Sequence, residues 1–286
     1  MNRLAPKLFG LFFLLTGLVS AQTALFIGAQ PADGGGVPLM YLAAADASLP
    51  DVLSVLPAQA PISLVAPVPL PRMAPDFALR VYQNRVAQQA AQLSAYSAAT
   101  SILAQLPDTQ QYGQCDLQRH YAAPRTLEFK SVRFVGDGFV KSNVILRLLQ
   151  SEVDHLQKDD PALNAIDPAN YKFSYKGTAQ LGSREVHVFQ LKPRKKRTSL
   201  FRGRIYLDAY TGSMVRSEGR LAKSPSLFIK KIEFVQDYAD FGSFTFPVHI
   251  HSEAQTRLIG RAVVDVIHHD YQPVSNVQVA KLATLH

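Results

Sequence analysis

Apolar and polar side chains alternate along most of the chain after residue 94, in segments of about ten residues. A period of two is typical of strands that bury one face, and turn-forming pairs such as Gly182-Ser183 and Thr211-Gly212 separate the segments. The pattern predicts ten strands, at residues 95–106, 110–123, 125–135, 171–180, 184–193, 200–209, 213–222, 227–238, 243–254 and 259–271.

Two stretches carry the helical period instead. Apolar residues recur every three or four positions after Asp76, which predicts an amphipathic helix directly before the first strand. A second helix is predicted over residues 138–157, where apolar residues repeat at the same spacing. Asp137 stands at the expected N-cap, so its side chain is predicted to accept a hydrogen bond from the first turn of this helix.

Each predicted strand has one apolar face. The strand at residues 200–209 shows this alternation. Its apolar face carries Phe201, Ile205 and Leu207, and its polar face carries Arg202, Arg204, Tyr206 and Asp208. Strands with one solvated face, joined by short turns, form antiparallel sheets, and ten twisted strands do not stay flat. The predicted fold class is α+β: a curved antiparallel half-barrel sheet of about ten strands, with helices covering the concave face and apolar space left over.

The first 75 residues differ in composition from the rest. Residues 1–21 predict a signal peptide, because Arg3 and Lys7 precede an apolar stretch that is too short to span a bilayer and ends in small residues. Residues 22–75 hold nine of the 18 prolines and predict a Pro/Ala-rich disordered tether. The folded domain is predicted at residues 76–286, in a periplasmic or secreted protein that is soluble after signal cleavage.

Two segments resemble one known superfamily. The first is FRGRIYLD at residues 201–208 with Thr211-Gly212 and Val215-Arg216, and the second is FVQDY at residues 234–238 with Phe241-Gly242 and Phe246-Pro247. Both are similar to hairpins of the periplasmic lipoprotein-carrier superfamily, which includes LolA, LolB, the RseB-like envelope sensors and outer-membrane lipoprotein-sorting proteins. The resemblance covers residues 76–272 and implies a half-barrel whose concave side holds acyl chains or a lipidated partner.

Positive charge is concentrated in one hairpin. The formal net charge is +8, and seven of the 30 basic residues lie between Lys192 and Arg204 with no acidic residue among them. Such a hairpin could contact an anionic membrane surface, or it could be a turn that its charge keeps solvated and unpaired. Nucleic acid is not an expected partner, because the tip has no interleaved aromatic residues. The predicted surface-contact residues are Lys192, Arg194, Lys195, Lys196 and Arg197.

Catalytic arrangements are scarce in the sequence. The single cysteine, Cys115, excludes a disulfide framework, and His120 is expected on the opposite face of the same strand. Neither a nucleophile elbow nor a His-Glu-x-x-His motif occurs. A zinc site with three nitrogen ligands needs a strand register that brings together His249, His251 and His268. No cofactor is expected, and the chain is predicted not to be an enzyme.

These patterns predict an exported, non-enzymatic protein that holds a lipid or a lipoprotein acyl group in an apolar cleft of the half-barrel. One alternative is an envelope protein-interaction or stress-sensing module, and a second is a metal-dependent hydrolase that uses the three histidines. The expected partners are a lipid or lipidated protein and an anionic membrane surface, and the oligomeric state is left open. The predicted cleft residues are Phe173, Tyr175, Phe201, Ile205, Leu207, Phe234, Phe244 and Phe246.

Overall fold

Ten antiparallel strands form one open sheet, which confirms the predicted fold class. The computed structural model describes residues 71–225, 227–257 and 259–276, so the predicted signal peptide and the predicted tether up to residue 70 lie outside the described residues. The strands are β1 (Leu93–Leu106), β2 (Gln111–Ala122), β3 (Thr126–Gly136), β4 (Tyr171–Leu181), β5 (Arg184–Pro193), β6 (Phe201–Asp208), β7 (Met214–Leu221), β8 (Ile229–Phe241), β9 (Phe244–Thr256) and β10 (Arg261–Ser275).

The order of the strands brings the two ends of the domain together. It is β3-β2-β1-β10-β9-β8-β7-β6-β5-β4, so the first strand pairs with the last near the middle of the sheet. Strands β3 and β4 follow each other in the chain but lie at opposite edges. The segment between them, residues 137–170, therefore has to pass from one edge of the sheet to the other.

Two helical regions pack against this sheet, as the sequence predicts. The first, α1, spans Pro75–Gln92 and begins on a proline, whose missing N–H needs no partner in the first turn of a helix. The second contains α2 (Gly138–Val140), a π-helical turn (Lys141–Ile145) and α3 (Leu146–Lys158), and we call the three together helix 138–158. Among the described residues, no helix is both long and apolar enough to cross a membrane.

The predicted side-chain cap of helix 138–158 is wrong. Asp137 occupies the N-cap position, but its side chain makes no capping hydrogen bond. Its Oδ2 instead accepts the N–H of Tyr112 on β2, at 3.0 Å. The carboxylate is therefore hydrogen-bonded to a neighbouring strand instead of to its own helix, and the local sequence does not reveal such a partner.

Two residues predicted on the solvated face of β6 are also buried, Tyr206 and Asp208. Tyr206 joins a small apolar cluster on that face with Val186, Val188 and Val215. The carboxylate of Asp208 accepts the N–H groups of Tyr210 and Thr211, at 2.9 and 3.0 Å, and thereby closes the turn before β7. The outer face is therefore not polar throughout.

The last residues of the predicted tether belong to the domain. The N–H of Met73 donates to the carbonyl oxygen of Ala209 at 2.8 Å. Arg72 lies 3.3 Å from Glu185 on β5. These contacts place the N-terminal boundary of the described domain a few residues before α1, and the tether before residue 71 stays a prediction.

The side of the sheet that carries the helices, which we call the inner face, holds the main core. Alternate residues of the strands enter it, among them Ile102, Leu117 and Ile250. Helix 138–158 contributes buried residues such as Leu148, and α1 contributes Tyr82. Full burial of each large apolar side chain is worth about 1.5–3 kcal/mol. The opposite side is the outer face.

A buried ion pair joins helix 138–158 to β2 on the inner face. Arg119 Nη2 lies 2.8 Å from Glu152 Oε2, and the two side chains are only 5% and 4% exposed. The Nε–H of Arg119 donates to the hydroxyl oxygen of Tyr96 at 3.1 Å. Burial is the largest single effect and lowers the pKa of Arg119, but Glu152, Tyr96 and Tyr271 together raise that pKa by more, so the guanidinium remains charged inside the core.

Breaking this ion pair from one side should be strongly destabilising. Glu152→Leu leaves Arg119 charged and buried without a counter-ion, and we expect the free energy of unfolding to fall by about 3–5 kcal/mol in urea denaturation. The double variant Arg119→Met/Glu152→Leu removes both charges and keeps the apolar volume, so it should recover most of the loss. A double variant that is no more stable than Glu152→Leu would contradict the electrostatic explanation.

Candidate functional site

The predicted cleft residues lie mainly in the core of the inner face. Six of the eight are at most 5% exposed, namely Phe201, Ile205, Leu207, Phe234, Phe244 and Phe246. Phe173 is half-buried and Tyr175 is 41% exposed. The four residues on β6 and β8 share the main cluster, and Phe173 packs against it. Phe244 and Phe246 belong to a second cluster, around Tyr96 and Tyr271.

Aromatic rings form an apolar wall on the inner face of β4, β6 and β8. The rings of Phe201 and Phe234 meet edge to face, with centroids 5.1 Å apart. Tyr171 lies 5.7 Å from Phe201, and its hydroxyl oxygen accepts the N–H of Phe201 at 3.2 Å. Burial raises the pKa of Tyr171, so its hydroxyl stays protonated. The wall is apolar, with hydroxyl groups at its margin.

Gln236 interrupts this wall. It lies on the inner face of β8 between Phe234 and Tyr238 and is fully buried. Within the described part of the chain, neither its Oε1 nor its Nε2 has a hydrogen-bond partner. Buried polar groups are normally paired, and leaving one unpaired costs about 1–3 kcal/mol. An unpaired amide in an apolar wall is a position where a bound molecule could supply the missing partners.

Residues that carry hydroxyl groups neighbour Gln236 in the sheet. Ser217 lies directly opposite Gln236 on β7, and its hydroxyl is 3.3 Å from that of Tyr238. Burial raises the pKa of Tyr238 to about 12. Burial also raises the pKa of Tyr82 on α1, with further contributions from Tyr238 and Tyr171. We call Gln236, Ser217, Tyr238 and Tyr82 the inner polar group; it offers neutral hydrogen-bond donors and acceptors.

Little in the sequence points to the inner polar group. The one signal for it is a glutamine at an inner position of β8, in the series Ile232, Phe234, Gln236 and Tyr238. Ser217 and Tyr82 carry no signal of their own. They become neighbours of β8 only through the strand order and the packing of α1.

The predicted surface-contact residues lie where β5 leads into β6. Four of the five, Lys192, Arg194, Lys195 and Lys196, line a cleft of about 500 Å³, which we call the basic cleft. Arg197 is not part of its lining; its Nη1–H donates to the carbonyl oxygen of Leu163 at 3.3 Å. Contact with an anionic surface stays a prediction.

The structure separates the three histidines of the predicted zinc site. His249 and His251 lie on the outer face, where they are 3.3 and 2.8 Å from Asp265 Oδ1. His268 is buried on the inner face, with its Nδ1 2.9 Å from the hydroxyl of Thr100. The observed register pairs His249 with Ile267, one residue short of His268, which puts His268 on the other face. Across the described ranges, no cluster of three or more His, Cys, Asp or Glu side chains could hold a metal ion.

Cys115 has the environment of a core residue. It is buried on β2, and burial raises the pKa of its thiol. A nucleophilic cysteine needs a lowered pKa. His120 is exposed on the opposite face, as the sequence predicts.

His268 should make the protein less stable in acid. Burial is the main cause that lowers its pKa well below 6.5, followed by the charges of Arg119 and His269. Below about pH 6.5, His268 therefore binds a proton in the unfolded chain but stays neutral in the folded chain. The free energy of unfolding is highest above that pH and decreases as the pH falls toward the pKa of His268 in the folded state. The loss approaches about 1.4 kcal/mol per pH unit.

Urea denaturation between pH 7.5 and 5 checks this expectation. The free energy of unfolding of His268→Gln should change less steeply with pH than that of the wild type, and the difference in slope should correspond to at most one bound proton. His120→Gln, which replaces an exposed histidine, is the matched control. Equal slopes for His268→Gln and the wild type would refute a neutral His268 in the folded state.

The chain matches no protein-family model and no curated protein sequence. Its structure is similar to an outer-membrane lipoprotein-sorting protein domain from Vibrio parahaemolyticus, with 11% identity over 70% of this chain and 93% of that chain and a TM-score of 0.37. It is similar to a LolA superfamily protein from Nitrosomonas europaea, with 8% identity over 70% and 93% of the two chains and a TM-score of 0.33. It is also similar to MucB, with 11% identity over 68% and 93% and a TM-score of 0.26. These similarities concern the fold alone.

Proposed function

We propose that this chain is a non-enzymatic binding protein that holds the acyl group of a lipid or a lipidated polypeptide against the inner face of its sheet. The observation that carries the proposal is the fully buried, unpaired amide of Gln236 in an aromatic wall. Ligand sites are typically apolar with a few polar groups that fix orientation. The inner polar group within the wall of Phe201 and Phe234 has this composition.

The ligand that fits is an apolar chain with an uncharged polar group at one end. Each buried methylene contributes about 0.8 kcal/mol, so a long acyl chain supplies most of the binding free energy. An ester or amide next to the chain has a carbonyl oxygen that can accept from Gln236 Nε2. An amide N–H or a hydroxyl can in turn donate to Gln236 Oε1.

We place the acyl group between α1 and the inner face of β6–β9. α1 packs against β6 and β9, and Tyr238 on β8 contributes to the raised pKa of Tyr82 on α1. Polar contacts hold α1 in position, including Arg85 at 3.0 Å from Asp240 and Gln89 Nε2 donating to the carbonyl oxygen of Thr245 at 3.1 Å. An entering acyl chain would displace side chains of α1 rather than the strands.

We also propose that the protein acts outside the cytoplasm, as a periplasmic or secreted protein. The support is the basic start and short apolar stretch of residues 1–21. A lipid or a lipidated polypeptide is a substrate class that an exported carrier would meet at the membrane.

Gln236→Met tests the acyl-binding proposal, because it predicts opposite changes in stability and affinity. Without ligand, Gln236→Met should unfold at a higher temperature than the wild type, since an unpaired buried amide is replaced by an apolar side chain of similar length. The same variant should bind an N-palmitoylated peptide about five- to tenfold more weakly in calorimetric titration.

The matched control is Gln190→Met on the outer face of β5, where Gln190 Nε2 already donates to the carbonyl oxygen of Gly203. This variant should bind the N-palmitoylated peptide as the wild type does. Unchanged affinity in Gln236→Met, or no binding of the acylated peptide by the wild type, would contradict the proposal.

A second candidate function is binding of an unmodified polypeptide along the edge strand β3. Val132 is 67% exposed and lies outside the pairing with β2, at a shift in register, and Val135 is 40% exposed. Phe139 and Leu146 on the following helix are 41% and 48% exposed. Binding of the same peptide without its palmitoyl group, lost on Val132→Lys, would favour this candidate over the acyl site.

A further inference from the structure

The basic cleft is a second candidate site, distinct from the inner polar group. It lies at one end of strands β5–β8, between the loops at residues 194–200 and 222–228. To the four basic residues named above it adds Arg202, Arg220, Lys230 and Lys231 from three further strands. No acidic residue is part of its lining.

Like charges face each other across the strands at this place. Arg202 on β6 lies directly opposite Arg220 on β7. In the same way, Lys172 on β4 lies directly opposite Lys192 on β5. Like charges in directly opposed positions destabilise a sheet. The arrangement therefore costs stability in the free protein.

The backbones of β6 and β7 lie close together beside this arginine pair. Next to the two arginines, Gly203 and Gly219 form a directly opposed pair. A Cβ on Gly203 would lie 1.8 Å from the carbonyl oxygen of Glu218, so β6 and β7 approach more closely than side chains on both strands would permit. The two guanidinium groups are thus held on closely spaced backbones.

Most basic residues that line the cleft have no ion pair among the described residues, whereas Arg216 elsewhere on the outer face has one. Arg216, four residues before Arg220 on β7, lies 2.6 Å from Asp237. In the cleft, Lys231 lies 2.6 Å from Glu233. For the other cleft cations, the described residues supply no ion pair. Glu233 on β8 also lies directly opposite Arg220, so within the described residues the cleft keeps an excess of positive charge with one acidic neighbour.

The loop that carries several of these cations is fixed before any ligand binds. Arg194 Nε–H donates to the carbonyl oxygen of Pro168 at 2.7 Å, and its backbone N–H donates to that of Asn170 at 2.8 Å. The contact between Arg197 and Leu163 adds a third attachment to the same segment. A fixed loop loses less conformational entropy when it binds, which favours affinity.

We propose that the basic cleft binds a phosphate-bearing anion with at least two negative charges. Guanidinium groups bind phosphate through paired N–H donors, and lysines add point charges. The cleft volume of about 500 Å³ lies in the range of small-ligand sites. Apolar side chains in the lining, such as Leu221 and Ile232, provide contact for the organic part of the ligand. This proposal does not rest on acyl binding at the inner face.

The test compares two double variants that each remove two positive charges. Arg202→Gln/Arg220→Gln changes the cleft, and Lys130→Gln/Arg133→Gln changes exposed positions on β3 at the other edge of the sheet. The probes are inorganic pyrophosphate, in calorimetric titration, and vesicles of phosphatidylglycerol and phosphatidylcholine, in flotation. We expect the cleft variant to bind at least about tenfold more weakly, and the control variant to bind as the wild type does.

Competition between the probes distinguishes the sources of the phosphate. If pyrophosphate binds the wild-type protein and displaces that protein from the vesicles, the result supports a site for a soluble phosphate compound. Vesicle binding that the cleft variant loses and that pyrophosphate does not displace supports a lipid headgroup. The proposal is overturned if neither probe binds the wild type, or if both double variants weaken binding equally.

Thermal unfolding without ligand separates a binding role from a structural one. The cleft variant should unfold at a higher temperature than the wild type at low ionic strength, because one pair of facing like charges is gone, and the difference should shrink in high salt. A cleft variant that unfolds at a lower temperature would mean that the arginines stabilise the fold, which contradicts the proposal.

Discussion

The buried ion pair between Arg119 and Glu152 fixes the segment on which the open sheet depends. Because β3 and β4 are consecutive in the chain and lie at opposite edges, residues 137–170 must cross the inner face. Helix 138–158 forms the first part of this segment and contacts β1–β3, and the ion pair attaches it to β2 at 2.8 Å. A charge buried in a core needs its counter-ion. Moving the helix away from β2 would leave a buried charge without its counter-ion, which costs stability.

The two faces of the sheet follow the period of two in the sequence, and each candidate site contains an arrangement that costs stability in the free protein. On the inner face it is a fully buried amide without partners, at Gln236. On the outer face it is the directly opposed pair Arg202 and Arg220. Natural proteins concentrate such costs at functional positions. At each site, a ligand with the matching chemistry would offset the cost.

Much of the fold could be predicted from the sequence, because local period and turn chemistry define each strand and both helices. The strand order could not, since the pairing of β1 with β10 joins residues about 170 positions apart. The strand register could not be predicted either, because a shift of one residue between β9 and β10 decides whether His249 lies opposite Ile267 or opposite His268. Tyr206 and Asp137 show the same limit, because their partners come from other strands.

Of the candidate sites, the basic residues of one hairpin were visible as a charge run, but Arg220, Lys230 and Lys231 join them only in the folded sheet. Gln236 reads as an ordinary polar residue until burial and missing partners are known.

The most direct measurement is photocrosslinking of the full chain with a palmitate that carries a diazirine on its acyl chain, followed by mass spectrometric mapping of the adducts. Acyl binding at the inner face predicts adducts on α1 and on inner-face residues of β6–β9, near Tyr82 and Phe234. Adducts confined to the outer face or to β3, or no adducts at all, would contradict it.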